Sequence, residues 1–97
     1  MGNIKLIQWE KVLLLLDQMA LLRVYSTIVA SMDDDYTWYS NLESRSKIEW
    51  RWQMADSTVK YAIAKLVEKG LLARKLRGVY IISKQFIRQE RSYDTVR

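Results

Sequence analysis

Residues 73–82 read ARKLRGVYII, in which Arg74, Lys75 and Arg77 crowd around Gly78 beside two apolar runs. Guanidinium and ammonium groups gathered at a turn suit phosphate oxygens, which arginine grips through paired hydrogen bonds and lysine meets as a point charge. The same cations also serve hairpin edges as a guard against strand-to-strand association. Upstream, Val59, Ile63, Leu66 and Val67 repeat with the spacing of one buried helix face. With that face turned inward, Ser57, Lys60, Tyr61, Ala64 and Lys65 share the open side, a second basic surface close in sequence to the first.

Other chemistry is largely closed to this chain. It contains no histidine and no cysteine, which removes histidine bases, cysteine nucleophiles and the usual ligands of zinc and iron–sulfur centres. The one dense acidic run, Asp33-Asp34-Asp35, has the composition of a weak divalent-cation site or, more commonly, of a solvated turn. No enzymatic activity, cofactor, metal or small-molecule ligand is expected. Charge is distributed unevenly. Residues 1–43 hold three Lys/Arg against six Asp/Glu, and residues 44–97 hold thirteen against five, so a net −3 precedes a net +8. The basic half is where a polyanion would bind.

At 97 residues the chain is long enough for one domain with one modest core, spanning 1–97. Its longest apolar run near the start, VLLLL at 12–16, is too short to span a membrane, and no secretory signal precedes it. A soluble, cytoplasmic protein is the expectation, with no membrane partner.

Residues 8–31 read as one long N-terminal helix or two abutting ones, apolar around most of the girth. Such a helix needs cover on more than one side. A second copy of the chain supplies it in the reading preferred here, with Leu14, Leu21, Tyr25 and Ile28 as dimer-interface candidates; a central helix wrapped by its own domain is the alternative. A short aromatic strand follows at Thr37–Tyr39. The next helix starts with Ser40 as N-cap and Glu43 three residues on, or with Ser44 as N-cap, and runs to about Gln53. Asp56-Ser57 opens the helix that ends at Gly70. Leu71–Lys75 and Val79–Ser83 then form strands around a turn at Leu76-Arg77-Gly78, and residues 84–97 form a short helix or a frayed tail.

This order is α+β, mainly α, and the stretch IEWRWQMADSTVKYAIAKLVEKGLLARKLRGVYII, residues 48–82, resembles the winged helix-turn-helix family. Its S-T-V opening, apolar-spaced helix, K-G-L ending and basic hairpin carry the likeness. It implies a three-helix core with a β-hairpin wing and a short extra strand. Two positions depart from the family pattern: Gln53 stands where the inter-helix turn often has glycine, and Ala55 stands where serine often caps, so Asp56 or Ser57 must cap instead.

The resemblance implies binding to double-stranded DNA. The helix from Asp56 would be the recognition helix, offering Ser57, Thr58, Lys60, Tyr61, Ala64 and Lys65 to the major groove. Arg74, Lys75 and Arg77 would form the wing, with Arg77 in or near the minor groove. Arg45, Lys47 and Arg51 are candidate phosphate contacts on the preceding helix. Trp50 and Trp52 sit about 200° apart on that helix; Trp52 falls where the family has a core leucine, so Trp50 must point elsewhere. The expected function is a small homodimeric transcription regulator. A plasmid or viral replication or maintenance factor is the alternative within the same chemistry. A winged helix that binds proteins through its aromatic surplus, without DNA, is the alternative outside it.

Overall fold

The computed structural model describes residues 7–87. The leucine-rich start is two helices, α1 (Trp9–Leu15) and α2 (Met19–Ser31), separated at Leu16, whose backbone is extended. Of the two expectations, the single long N-terminal helix is therefore corrected and the pair of abutting helices holds. The break lets each half bury a different side. α1 packs against the C-terminal segment, with Val12 fully buried, Ile7 bridging to Ile87, and the Gln8 amide donating to the Phe86 carbonyl at 2.8 Å. α2 turns Leu21, Val24, Tyr25, Ile28 and Val29 into the core.

That placement corrects the dimer candidates. Leu21, Tyr25 and Ile28 are fully buried within their own chain, and of the four only Leu14 faces out, 86% exposed. The protein's own elements cover the Leu21, Tyr25 and Ile28 side of α2, while Leu13 and Leu14 of α1 and Met19 of α2 stay exposed. Tyr25 meets the Trp9 ring edge-on at 5.7 Å, and burial raises the pKa of its hydroxyl.

β1 (Thr37–Tyr39) follows a turn organised by Asp33. The Asp33 carboxylate accepts from the amides of Asp35 (2.9 Å) and Thr37 (3.0 Å), an Asx-turn arrangement. This gives at least one member of the acidic run a turn-forming role. Among the described residues, no group of three or more acidic side chains could hold a metal ion.

α3 (Leu42–Trp52) begins at neither serine expected as its N-cap. Asn41 caps it: its side chain accepts from the Ser44 amide at 2.8 Å, and the Ser44 hydroxyl accepts from the Asn41 amide at 2.9 Å. The helix ends where Gln53 adopts φ 56°, ψ 50°, the left-handed conformation anticipated at this position. The Met54 amide still reaches the Glu49 carbonyl at 3.0 Å, so the turn into α4 (Asp56–Glu68) is tight. Ala55 occupies the N-cap position of α4 without any side-chain cap, so neither Asp56 nor Ser57 caps it; Asp56 lies in the first helical turn.

α4 buries Val59, Ala62, Ile63 and Leu66 and packs against α2, α3 and the sheet. Its end is a Schellman turn. The Leu71 amide bonds the Leu66 carbonyl (2.9 Å), the Gly70 amide bonds Val67 (3.0 Å), and Gly70 takes φ 83°. Leu66 and Leu71, the two residues this motif brings together, are both fully buried.

The chain then forms β2 (Leu72–Leu76) and β3 (Val79–Ile82): β2 is shifted one residue later than expected, β3 starts at Val79 as expected and ends one residue sooner, and the turn narrows to Arg77-Gly78. The antiparallel sheet has the order β1-β3-β2. Leu72 pairs with Ile82 and Arg74 with Tyr80, and the register slips by one between Arg74 and Leu76, leaving Lys75 in a bulge. Tyr80 and Ile82, rather than Val79 and Ile81, carry the side of β3 that packs into the core. A 3-10 turn at Lys84–Phe86 buries Phe86. The expectation for the tail beyond Ile87 lies outside the described residues. The architecture is α+β and mainly helical, and among the described residues no helix is long and apolar enough to cross a membrane.

Candidate functional site

α4 and the β2–β3 hairpin enclose an open groove of about 550 Å³. Lys60 comes from α4, Arg45 from α3, and Arg74 and Arg77 from the hairpin; Ile63, Ala64 and Tyr80 supply apolar surface between them. Local structure explains each position. Lys60 and Ala64 are one helical turn apart on the α4 face opposite Val59 and Leu66. Arg74 is cross-strand partner to Tyr80 and shares a sheet face with Leu72 and Ile82, both buried, so it emerges where the core gives out.

Arg77 is set by the glycine beside it. Gly78 takes φ 77°, and a Cβ there would stand 3.3 Å from the Ser40 carbonyl. The Ser40 amide in turn donates to the Gly78 carbonyl at 2.8 Å. The hairpin tip is thereby fastened to the end of β1 and to the start of α3, which brings Arg77 into the same groove as Arg45.

Arg45 is the most constrained of the four cations. Its Nε lies 3.3 Å from Asp56 Oδ1, its Nη1 donates to Ser40 Oγ at 3.1 Å, and its side chain is only 19% exposed. Lys60 Nζ lies 3.2 Å from the other oxygen of Asp56, one helical turn away. Asp56 thus bridges two of the groove's cations. Its pKa is lowered, first by the hydrogen bond it shares with Glu49 and then by Lys60, with Arg45 adding to the effect. The Glu49 carboxyl is pushed up, chiefly through that same bond to Asp56.

The groove gathers Arg45, Lys60, Ala64, Arg74 and Arg77 from the expected residues. The others lie elsewhere. Lys65 pairs with Glu68 at 3.2 Å, which raises its pKa, and lies 5.9 Å from the Tyr61 ring. Ser57 and Tyr61 are exposed on α4, and Thr58 is half-buried with its amide bonded to the Ala55 carbonyl. Lys75 sits exposed in the bulge. Lys47 lines a separate, smaller hollow with Asp33, Trp38 and Tyr39. Arg51 stacks over the Trp52 ring at 4.9 Å, and Arg23 lies 5.2 Å from the same ring. Arg51 is therefore committed to an indole that also bonds Thr27 through Nε1 at 2.7 Å.

Sequence reasoning missed Ser40 and Tyr80 as members of the site, and it read Asp56 first as a helix cap, with acceptance from a cytosine amino group as its other role. Ser40 and Asp56 were absorbed by capping roles that Asn41 and Ala55 fill instead. The i, i+4 spacing of Asp56 and Lys60 was a readable signal; the contact with Arg45, eleven residues upstream, was not.

A second surface shares no residue with the groove. Trp9, Leu13, Met19, Leu22, Arg23, Ser26 and Trp52 line an apolar hollow of about 570 Å³. Leu14 and Leu15 line a separate hollow with Lys11, Gln85 and Phe86, and Trp50 is 80% exposed on α3, pointing away from Trp52 as its spacing requires. Compared with models of known protein families, with curated proteins and with solved structures, the chain matches none.

Proposed function

We propose that this protein binds double-stranded DNA as a small homodimeric transcription regulator of the winged helix-turn-helix type. α4 acts as the recognition helix and the β2–β3 hairpin as the wing. One observation carries the reading: Arg45, Lys60, Arg74 and Arg77, drawn from three separate parts of the chain, converge on a single open groove with apolar surface between them. Exposed cations on one face supply the phosphate-directed attraction that dominates nucleic-acid affinity. Ser57, Lys60, Tyr61 and Ala64 on the outer face of α4 meet base edges, and the hairpin tip carries Arg77 toward the minor groove.

The dimer forms through α1 in this reading. Trp9, Leu13, Leu14 and Leu15 are all exposed on a helix of seven residues, too short to persist in water on its own propensity. Pairing these residues with Met19 of a second copy would cover them. Two recognition helices would then address half-sites about 34–36 Å apart. The same apolar surface favours the second reading, a protein-interaction module, because it would equally suit a different protein.

Equilibrium binding to a random-sequence duplex at low salt tests the proposal. Measurable binding is expected, weakened by Arg77→Ala on most sequences alike, with Lys60→Ala or Tyr61→Ala altering the preferred sequences instead. Failure to bind any duplex overturns it in favour of the interaction module.

A further inference from the structure

Among the described residues, Asp56 is the one carboxylate in direct contact with two cations of the groove, and its position is unusual for a phosphate-binding surface. It lies in the first turn of α4. The start of a helix normally attracts anions, because its first amides are unpaired and the macrodipole is positive there. Here the chain supplies the anion itself. Asp56 is 3.3 Å from Arg45 and 3.2 Å from Lys60, while Arg45 is further held by Ser40 and largely covered. A phosphate seeking those two cations must compete with a tethered carboxylate at close range.

Resting on the DNA-binding reading above, we propose that Asp56 is a specificity-determining residue. In the free protein its carboxylate stands in for a backbone phosphate between Arg45 and Lys60, so any duplex must displace or share it. A site that presents a cytosine amino group to the first turn of α4 gives the carboxylate a new hydrogen-bond donor. A site without one leaves a negative group facing phosphates with weakened compensation. Discrimination then comes from repulsion of wrong sequences as much as from attraction to right ones.

The experiment compares wild type with Asp56→Ala in two measurements: affinity for a random-sequence duplex across salt concentrations, and the sequences each protein selects from a random pool. The expected result is about tenfold tighter random-duplex binding by the variant, the scale on which two exposed ion pairs cease to compete. Its salt dependence should be steeper by about one released counterion. A cytosine at a fixed position should appear in the wild-type selection and vanish from that of the variant, and Asp56→Glu should restore part of the preference. Asp56→Ser is the parallel variant should Asp56→Ala perturb folding. Equal or weaker random-duplex binding by a folded variant, with unchanged selected sequences, overturns the role of Asp56 while leaving DNA binding intact. No binding of any duplex by wild type overturns both.

Discussion

The α4–hairpin groove and the α1–α2 apolar surface are both open hollows of similar size, yet they are built in opposite ways. The groove sets four cations among apolar side chains and is closely braced. Gly78 fastens its tip to Ser40, Asp56 clamps two of its cations, and a bulge at Lys75 shapes its edge. The other surface is apolar and loosely braced: α1 is seven residues long, buries Val12 alone, and has no side-chain cap. A surface that must present charges at defined positions needs fixed supports. An apolar surface of the kind proposed here to meet a second copy can leave its supports to that copy.

The comparison separates residues that looked alike in sequence, and the largest expected effect tests that separation. Leu21→Ala should destabilise the fold by about 2–5 kcal/mol in chemical denaturation, because the side chain is fully buried. Leu14→Ser should leave monomer stability within about 0.5 kcal/mol and lower self-association measured by sedimentation. Similar stability losses for both would erase the distinction between the buried core and the exposed apolar surface.

A smaller effect is expected at Gly78. Gly78→Ala introduces a Cβ 3.3 Å from the Ser40 carbonyl at a positive φ, a conformation costing an L-residue about 1–2 kcal/mol. Thermal denaturation should register that loss, and duplex affinity should fall as Arg77 moves. An unchanged affinity at reduced stability would detach Arg77 from the groove's function. The smallest effect is expected at Gln53, whose left-handed backbone glycine adopts more readily. Gln53→Gly should stabilise by at most about 1 kcal/mol, relief of strain being partly offset by the greater freedom of the unfolded chain.

Much of this architecture was legible in the sequence. Thr37–Tyr39 and the Gly70 helix ending were each marked by residue types with few alternatives, whereas a glutamine does not announce a left-handed backbone and Gln53 was singled out only by the family resemblance. The start of α3 was not, because Ser40, Asn41 and Ser44 are all competent caps within five residues and only the folded backbone selects among them. The break at Leu16 carries neither proline nor glycine, so nothing local announces it; docking of α1 on Phe86 accounts for it. The apolar girth of α2 was plain, but a sequence cannot say whether the covering surface is its own chain or another. The hairpin and α4 contributions to the groove were readable from charge and spacing. Whether Arg45 belonged to it and Arg51 did not depended on which face of α3 meets Asp56 and which meets Trp52.

The central claim, that the braced basic groove binds DNA phosphates, is tested most directly by the salt dependence of duplex affinity. Log affinity against log salt concentration should fall with a slope near −5 to −9 for a dimer contacting about six to ten phosphates. The Arg74→Ala/Arg77→Ala double variant should give a markedly shallower slope, while Arg51→Ala, which removes a cation stacked on Trp52, should match wild type. Salt-independent binding, or a slope flattened by Arg51→Ala and unchanged by the hairpin double variant, would contradict the account.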